Sequence, residues 1–172
     1  MKKLGFSFLE LLIVMTFVAI LSAIAAPKFM RQKEIALVEA SAIELLSFLE
    51  LGASESIKRG VKLHVHYIPK KKMHDGCIVL TESDKPTQTL CKGDTNAFKL
   101  AHDKALKIKQ PVQNTPSKLF YFSPQTGLPS NDLTLLLSAN LNDDKSSGIL
   151  IRRYKGLVGC SQTGILDWQP CN

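Results

Sequence analysis

Residues 1–33 read MKKLG-FSFLELLIVMTFVAILSAIAAP-KFMRQK, and this stretch decides the fold. Its middle part, residues 6–27, carries a single ionisable side chain, that of Glu10. A run of about twenty apolar residues is what an α-helix needs to cross a hydrocarbon core of about 30 Å. We therefore predict one membrane-spanning helix over residues 6–27. Lys2 and Lys3 precede it, so the positive-inside rule places the N-terminus in the cytoplasm and the rest of the chain across the membrane.

Two simpler interpretations of this segment leave Glu10 unexplained. A secretory signal would be cut after Ala25, since Ala23-Ile24-Ala25 has the small-x-small form that a signal peptidase accepts. Pro27 would then lie beside the cut, and Glu10 would lie in the apolar core, where an ionisable group costs about 2.5–3.5 kcal/mol. A plain membrane anchor does no better, because an intramembrane carboxylate needs a partner.

A cut between Gly5 and Phe6 would supply that partner. It creates an α-amino group in the same layer of the membrane as Glu10, so that a cation and an anion can pair. In an assembly, the amine of one subunit can meet the Glu10 carboxylate of its neighbour. A buried polar contact of this kind fixes the axial register of otherwise featureless apolar helices, as it does in coiled coils.

The residues G-F-x-F-x-E, from Gly5 to Glu10, resemble the N-terminal motif of type IV pilins and of type II secretion pseudopilins. The resemblance implies that a prepilin peptidase cuts after Gly5 and methylates Phe6, so that residues 1–5 are a leader peptide. It also implies assembly roles for Glu10 and Pro27. The implied partners are the peptidase, the inner membrane and other pilins or pseudopilins in a filament or tip complex.

Beyond Pro27 the helix is expected to continue over residues 28–58 and to end at Gly52 or Gly60. Pro27 removes one backbone hydrogen bond and is expected to act as a flexible joint. Apolar residues recur at steps of three and four, which predicts a stripe that faces a sheet. The stripe consists of Ile35, Val38, Ala42, Leu45 and Leu49. The charged side chains expected in solvent are those of Arg31, Lys33, Glu34, Glu39, Glu44 and Glu50.

Residues 59–172 are predicted to form a β-rich globular domain in the periplasm. Alternating apolar and polar residues from 61 to 67 indicate its first strand, with His64 and His66 on the solvent face. A short helix is expected over residues 97–108. Further strands are expected at Cys77–Thr81, Lys118–Phe122, Leu133–Ser138 and Gly148–Tyr154, with turn-forming residues between them.

The predicted fold class is α+β, with a long N-terminal hydrophobic helix packed on a C-terminal antiparallel sheet domain, as in the pilin fold. Three segments of the domain resemble GspH/FimT-type minor pilins. They are Leu119–Gly127, Leu133–Leu137 and Gly148–Gly159. The resemblance implies a minor pilin that primes or joins a type IV pilus. Two alternatives are a minor pseudopilin of a type II secretion system and a DNA-binding minor pilin of a competence system.

The chain has four cysteines and no Cys-x-x-Cys pair, so zinc-finger spacing is absent. An even number of cysteines beyond an export signal suggests disulfides, and four cysteines allow three connectivities. We expect pairing between sequence neighbours, Cys77 with Cys91 and Cys160 with Cys171, each bond adding about 2–4 kcal/mol. Four buried free thiols are the alternative.

Some FimT-like proteins bind DNA through a Gly-Arg-x-Arg element, and the corresponding residues here are Gly156-Leu157-Val158-Gly159, without either arginine. Arg152, Arg153 and Lys155 lie just upstream and are the candidate phosphate contacts. The simpler interpretation is a solvated strand face. The formal net charge of +7 permits contact with DNA or anionic lipid, although charge of this size also serves solubility.

Neither a metal site nor an enzyme is expected. His64 and His66 share a strand face, with His74 and His102 elsewhere, but no carboxylate or cysteine completes a ligand pattern. The sequence has no nucleophile elbow, P-loop, zincin motif or dinucleotide-binding fingerprint. We therefore predict a structural subunit without a cofactor.

Overall fold

The computed structural model describes residues 7–69, 76–85, 91, 97–99, 107–110, 115–138, 146–162 and 167–171. A single helix, α1, runs from Phe8 to Arg59 and is 52 residues long. It ends at Gly60, which adopts the left-handed conformation with φ 64° and donates its N–H to the Ile57 carbonyl at 3.1 Å. Lys58 and Arg59 place positive charge in the last turn, where the helix dipole favours it.

Gly52, the other predicted helix end, lies inside α1 and is buried. A Cβ atom built there would lie 2.6 Å from Leu80 Cδ1, which is too close for a real contact. Glycine at this position therefore lets the helix approach the sheet closely, instead of ending it.

Within the described residues, eight strands form two four-stranded antiparallel sheets. They are β1 (Leu63–Ile68), β2 (Cys77–Thr81), β3 (Ala97–Lys99), β4 (Lys107–Gln110), β5 (Ser117–Phe122), β6 (Leu133–Ser138), β7 (Ser146–Arg152) and β8 (Gly156–Ser161). The first sheet has the order β3-β2-β1-β5 and the second the order β4-β6-β7-β8. The α+β class, with the helix preceding the sheets, is thus confirmed.

The second half of α1 and one face of each sheet form the main core. All five residues of the predicted apolar stripe are buried, and Ala42, Leu45 and Leu49 have no exposed surface. The sheets contribute Val65, Ile78, Phe120 and Phe122 from the first and Leu135, Leu137, Ile149 and Ile151 from the second. Because neighbouring strand residues point to opposite faces, each sheet also has an outer face, directed away from α1.

Glu39 was expected in solvent, and this prediction is wrong, since the residue is only 5% exposed. Glu39 follows Ile35 by four positions and precedes Ala42 by three, so it lies on the same face of α1 as the apolar stripe. The buried Glu39 is not without a partner, since it takes part in a polar or electrostatic interaction.

The short helix expected over residues 97–108 is also wrong where the structure describes this segment. Ala97–Lys99 pairs with β2 as β3, and Lys107–Gln110 pairs with β6 as β4. Phe98 is buried, and its ring centroid lies 5.8 Å from that of Phe48 on α1. Strand pairing and this aromatic contact outweigh the local helix propensity.

Both predicted disulfides are present. Cys77 bonds to Cys91 across 14 residues, and Cys160 bonds to Cys171 across 11. Each bond adds to an apolar cluster on the outer face of one sheet. The alternative of four buried free thiols is therefore excluded.

Candidate functional site

The first half of α1 makes no packing contact that buries it. Every described residue from Ser7 to Glu34 is exposed, and Phe8 keeps 79% of its surface accessible. By length and composition this helix is suited to crossing a membrane. The first half of α1 is thus an exposed apolar surface that lipid or other proteins could cover. The same helix continues without a break into the sheet domain, where one face of its second half is buried.

Glu10 lies in the first turn of this apolar segment. Among the residues that the structure describes, no ion pair includes it. A carboxylate near a helix N-terminus is favoured by the helix dipole, but in an apolar layer it still needs a cationic partner. Gly5 and Phe6, the predicted cleavage and methylation residues, lie outside the described part of the chain.

Pro27 lies inside α1 without interrupting it. Proline has no N–H, so the helix lacks one backbone hydrogen bond at this position. The predicted continuation of the helix through Pro27 is confirmed. The role of Pro27 as a flexible joint stays a prediction.

The candidate phosphate-binding residues lie at the turn between β7 and β8, which we call the cationic turn (residues 152–155). Lys155 donates its backbone N–H to the Arg152 carbonyl at 3.3 Å, which closes the turn. Arg153 is tied to the loop before β6, because its backbone N–H donates to Asp132 Oδ1 at 2.6 Å and its Nε donates to the Ser130 carbonyl at 2.9 Å. The strand predicted at Gly148–Tyr154 therefore ends two residues earlier, at Arg152.

The residues in place of the missing arginine element form β8 and have a packing role. Leu157 packs against the main core, and Val158 packs on the outer face of the second sheet. Gly159 faces Trp168, since a Cβ atom built on this glycine would lie 2.6 Å from the indole Cε2. These residues therefore provide no cationic surface of their own.

His64 and His66 lie on the outer face of the first sheet, and both are buried, with His66 fully so. The expectation that they are solvent-facing is wrong, because residues 82–85 after β2 cover them. His66 Nε2 lies 2.9 Å from the Ser83 carbonyl, and since a carbonyl only accepts, Nε2 donates. Among the described residues, the Nδ1 atoms of both histidines have no hydrogen-bond partner.

Asp84, in the segment of residues 82–85 that follows β2, contacts the first sheet through two side chains. Its carboxylate pairs with Lys118 on β5 and lies 3.3 Å from His64 Nδ1, close enough for attraction but without hydrogen-bond alignment. Burial lowers the pKa of His64 despite the nearby carboxylate, and the hydrogen bond from Lys118 lowers the pKa of Asp84. Sequence reasoning missed Asp84 and Lys118, because they meet only when β1 pairs with β2 on one side and with β5 on the other.

No group of three or more His, Cys, Asp or Glu side chains is placed to hold a metal ion within the described segments. His74 and His102, and the basic run of residues 70–72, lie outside them.

Comparisons with protein-family models, with curated proteins and with solved structures found no match to this chain. Its function is therefore inferred from its own residues and their geometry.

Proposed function

We propose that this chain is a minor pilin-like structural subunit of the GspH/FimT type, which a prepilin peptidase processes and which then primes or joins a type IV pilus. Before assembly it lies in the bacterial inner membrane as a single-pass protein, with its N-terminus in the cytoplasm and its sheet domain in the periplasm. A minor pseudopilin of a type II secretion system is the alternative.

The observation that carries the proposal is the division of α1 into two halves. One half is apolar and exposed from Phe8 to Pro27 with Glu10 as its only ionisable group, and the other half is the core helix of the sheet domain. A helix that served only to export the domain would need no carboxylate in its apolar part. A subunit that packs this helix against identical or related helices would use Glu10 to set the register.

Processing is tested on protein purified from membranes of cells that contain a prepilin peptidase. Intact-mass spectrometry should show a chain that begins at Phe6 and carries one added methyl group. Gly5→Leu should leave the chain at full length, because the larger side chain blocks the cut. A mature N-terminus near Ala26 would instead indicate an ordinary signal peptide and would contradict the proposal.

Assembly is tested with Glu10→Gln, which keeps the shape of the side chain and removes its charge. The variant should reach the membrane in normal amounts but be lost from the sheared filament fraction. Glu44→Gln is the matched control, since Glu44 is exposed on the second half of the same helix. Equal incorporation of both variants would rule out the register role of Glu10.

A pilus subunit and a type II secretion pseudopilin would share the whole N-terminal chemistry, so a different measurement separates these two alternatives. Loss of twitching motility after gene deletion supports the pilus, and loss of exoprotein release supports the secretion system. DNA binding stays a prediction for Arg152, Arg153 and Lys155. The Arg152 guanidinium donates to the Ile151 carbonyl and the Arg153 Nε donates to the Ser130 carbonyl, so each arginine keeps only part of its donors for a phosphate.

A further inference from the structure

A groove of about 440 Å³ lies on the outer face of the second sheet, and we call it the outer groove. Its floor consists of Leu150 on β7 and Val158 on β8. These side chains belong to the outer apolar cluster, whereas Ile149 and Ile151, their neighbours along β7, pack in the main core. The outer groove therefore opens on the side of the sheet domain that is opposite to α1. Its volume is within the range of ligand-binding clefts.

Both walls of the outer groove are held by contacts of the chain itself. One wall is the C-terminal tail at Gln169 and Pro170. The tail is fixed because the Ser161 N–H donates to the Gln169 carbonyl at 3.0 Å and Cys171 is bonded to Cys160. A wall held in this way loses little conformational entropy when a ligand binds, which favours affinity.

The other wall is the cationic turn. Arg152 and Lys155 line the outer groove, and the turn that carries them is closed by its own backbone hydrogen bond. Gly156 follows with φ 80°, a conformation that glycine adopts without strain, and leads the chain back into β8. Tyr154 also lines the groove and is 86% exposed, so its ring is available to cover a bound apolar group.

The chemistry of this surface combines an aliphatic floor with two cations at one end. Arg152 donates one guanidinium N–H to the Ile151 carbonyl at 3.3 Å, and its remaining N–H groups, together with the Lys155 ammonium, could bind a carboxylate. An aliphatic side chain on the same ligand would remove the floor residues Leu150 and Val158 from water.

We propose that the outer groove binds an extended acidic peptide segment of a partner protein, with an aliphatic side chain on the floor and a carboxylate at Arg152 and Lys155. Asp132 also lines the groove. Its negative charge opposes every anionic ligand, but it opposes one or two widely spaced carboxylates less than the closely spaced phosphates of a nucleic acid. A single-stranded nucleic acid site also combines a basic track with several stacking rings. Tyr154 is the one aromatic residue among the described residues of this lining.

The probe is the fluorescein-labelled pentapeptide Glu-Ala-Leu-Ala-Glu, whose first, third and fifth side chains share a face when the peptide is extended. Fluorescence anisotropy is measured with the full chain in detergent micelles. Saturable binding is expected, and the double variant Arg152→Gln, Lys155→Gln should weaken it by about tenfold or more, because a desolvated charge pair is lost. The double variant Lys33→Gln, Lys58→Gln removes the same charge from exposed positions of α1 and should bind as the wild type does.

Two changed peptides test the same site on the wild-type protein, so the result does not depend on the folding of a variant. Gln-Ala-Leu-Ala-Gln lacks the carboxylates and Glu-Ala-Gly-Ala-Glu lacks the aliphatic side chain, and each should bind several-fold more weakly. The proposal is overturned if the parent peptide does not bind, if it binds both double variants equally, or if a labelled ten-thymidine oligonucleotide displaces it at a lower concentration than unlabelled peptide does. None of these outcomes bears on filament assembly, which the Glu10 variant tests separately.

Discussion

Gly148 lies at the centre of β7, and its replacement by alanine should disrupt the second sheet. Gly148 pairs with Leu136 of β6. A Cβ atom built on Gly148 would lie 1.9 Å from the Leu135 carbonyl oxygen and 3.0 Å from the Leu136 Cα. Both neighbours are backbone atoms of β6, so no side-chain rotation relieves the contact. The two strands must move apart by about 1 Å or more, which breaks the hydrogen bonds at this point of the ladder.

The expected cost follows from two effects. Overpacking of a well-packed interior costs about 1–3 kcal/mol. The loss of about two backbone hydrogen bonds adds about 1–3 kcal/mol. Together the two effects should reduce the free energy of unfolding by about 2–6 kcal/mol. With a slope of about 2 kcal/mol per M, in the middle of the range for a small domain, the urea midpoint should fall by about 1–3 M.

Trp168 makes this measurement specific to the second sheet. It is the only tryptophan of the chain and packs against Gly159 of β8, the strand next to β7. The assay is a urea titration of the full chain in non-denaturing detergent, followed by tryptophan emission. Gly60→Ala is the control, because Gly60 has φ 64° with open space around its Cα, and only the left-handed conformation is penalised, by about 1 kcal/mol. If Gly148→Ala lowers the midpoint no more than Gly60→Ala does, the close contact of β6 with β7 is refuted.

The same titration tests the core, one disulfide and the histidine cover. Leu45→Ala should cost about 2–5 kcal/mol because Leu45 has no exposed surface, and a cost below about 1 kcal/mol would contradict its place in the core. Cys77→Ser with Cys91→Ser should cost about 3 kcal/mol, since the bond closes a loop of 14 residues, and an unchanged midpoint after reduction would argue against it. The pKa of His64 is lowered in the fold from 6.5, so the unfolded chain binds more protons below that pH and stability should fall on acidification from about pH 7.5 to about pH 5.5. His64→Gln should reduce this dependence of stability on pH. A urea midpoint that rises on acidification would contradict the lowered pKa of His64. The pKa of Asp84 is also lowered, and its contribution should be lost only below its ordinary value of 3.8.

The features that were predictable from the sequence are those that depend on residues close together in the chain. The apolar run of residues 6–27 and the stripe from Ile35 to Leu49 depend on composition and helical period alone. The run from residue 8 onward and the whole stripe lie in α1. The strands at Cys77–Thr81 and Leu133–Ser138 have the bounds predicted from the sequence, where turn-forming residues separate the strands. The two disulfides join cysteines close in sequence, so loop length was a sufficient guide.

The features that were missed depend on contacts between distant segments. His64 and His66 have the sequence pattern of an exposed strand face, and only the return of residues 82–85 over the first sheet buries them. The segment that forms β3 has no strong strand pattern and becomes a strand by pairing with β2. The outer groove was not predictable either, because one wall comes from the C-terminal tail and the other from the turn after β7.

The unbroken course of α1 fixes how the sheet domain is rotated about the helix axis relative to the exposed first half of the helix. Each residue of an α-helix turns the chain by about 100° and advances it by about 1.5 Å. Deleting one residue between Pro27 and Ile35 would therefore rotate the whole domain by about 100° around the axis relative to Glu10, with almost no change in height. The direction in which the sheet domain faces, and with it the opening of the outer groove, is thus set by the number of residues between one carboxylate and the first buried side chain.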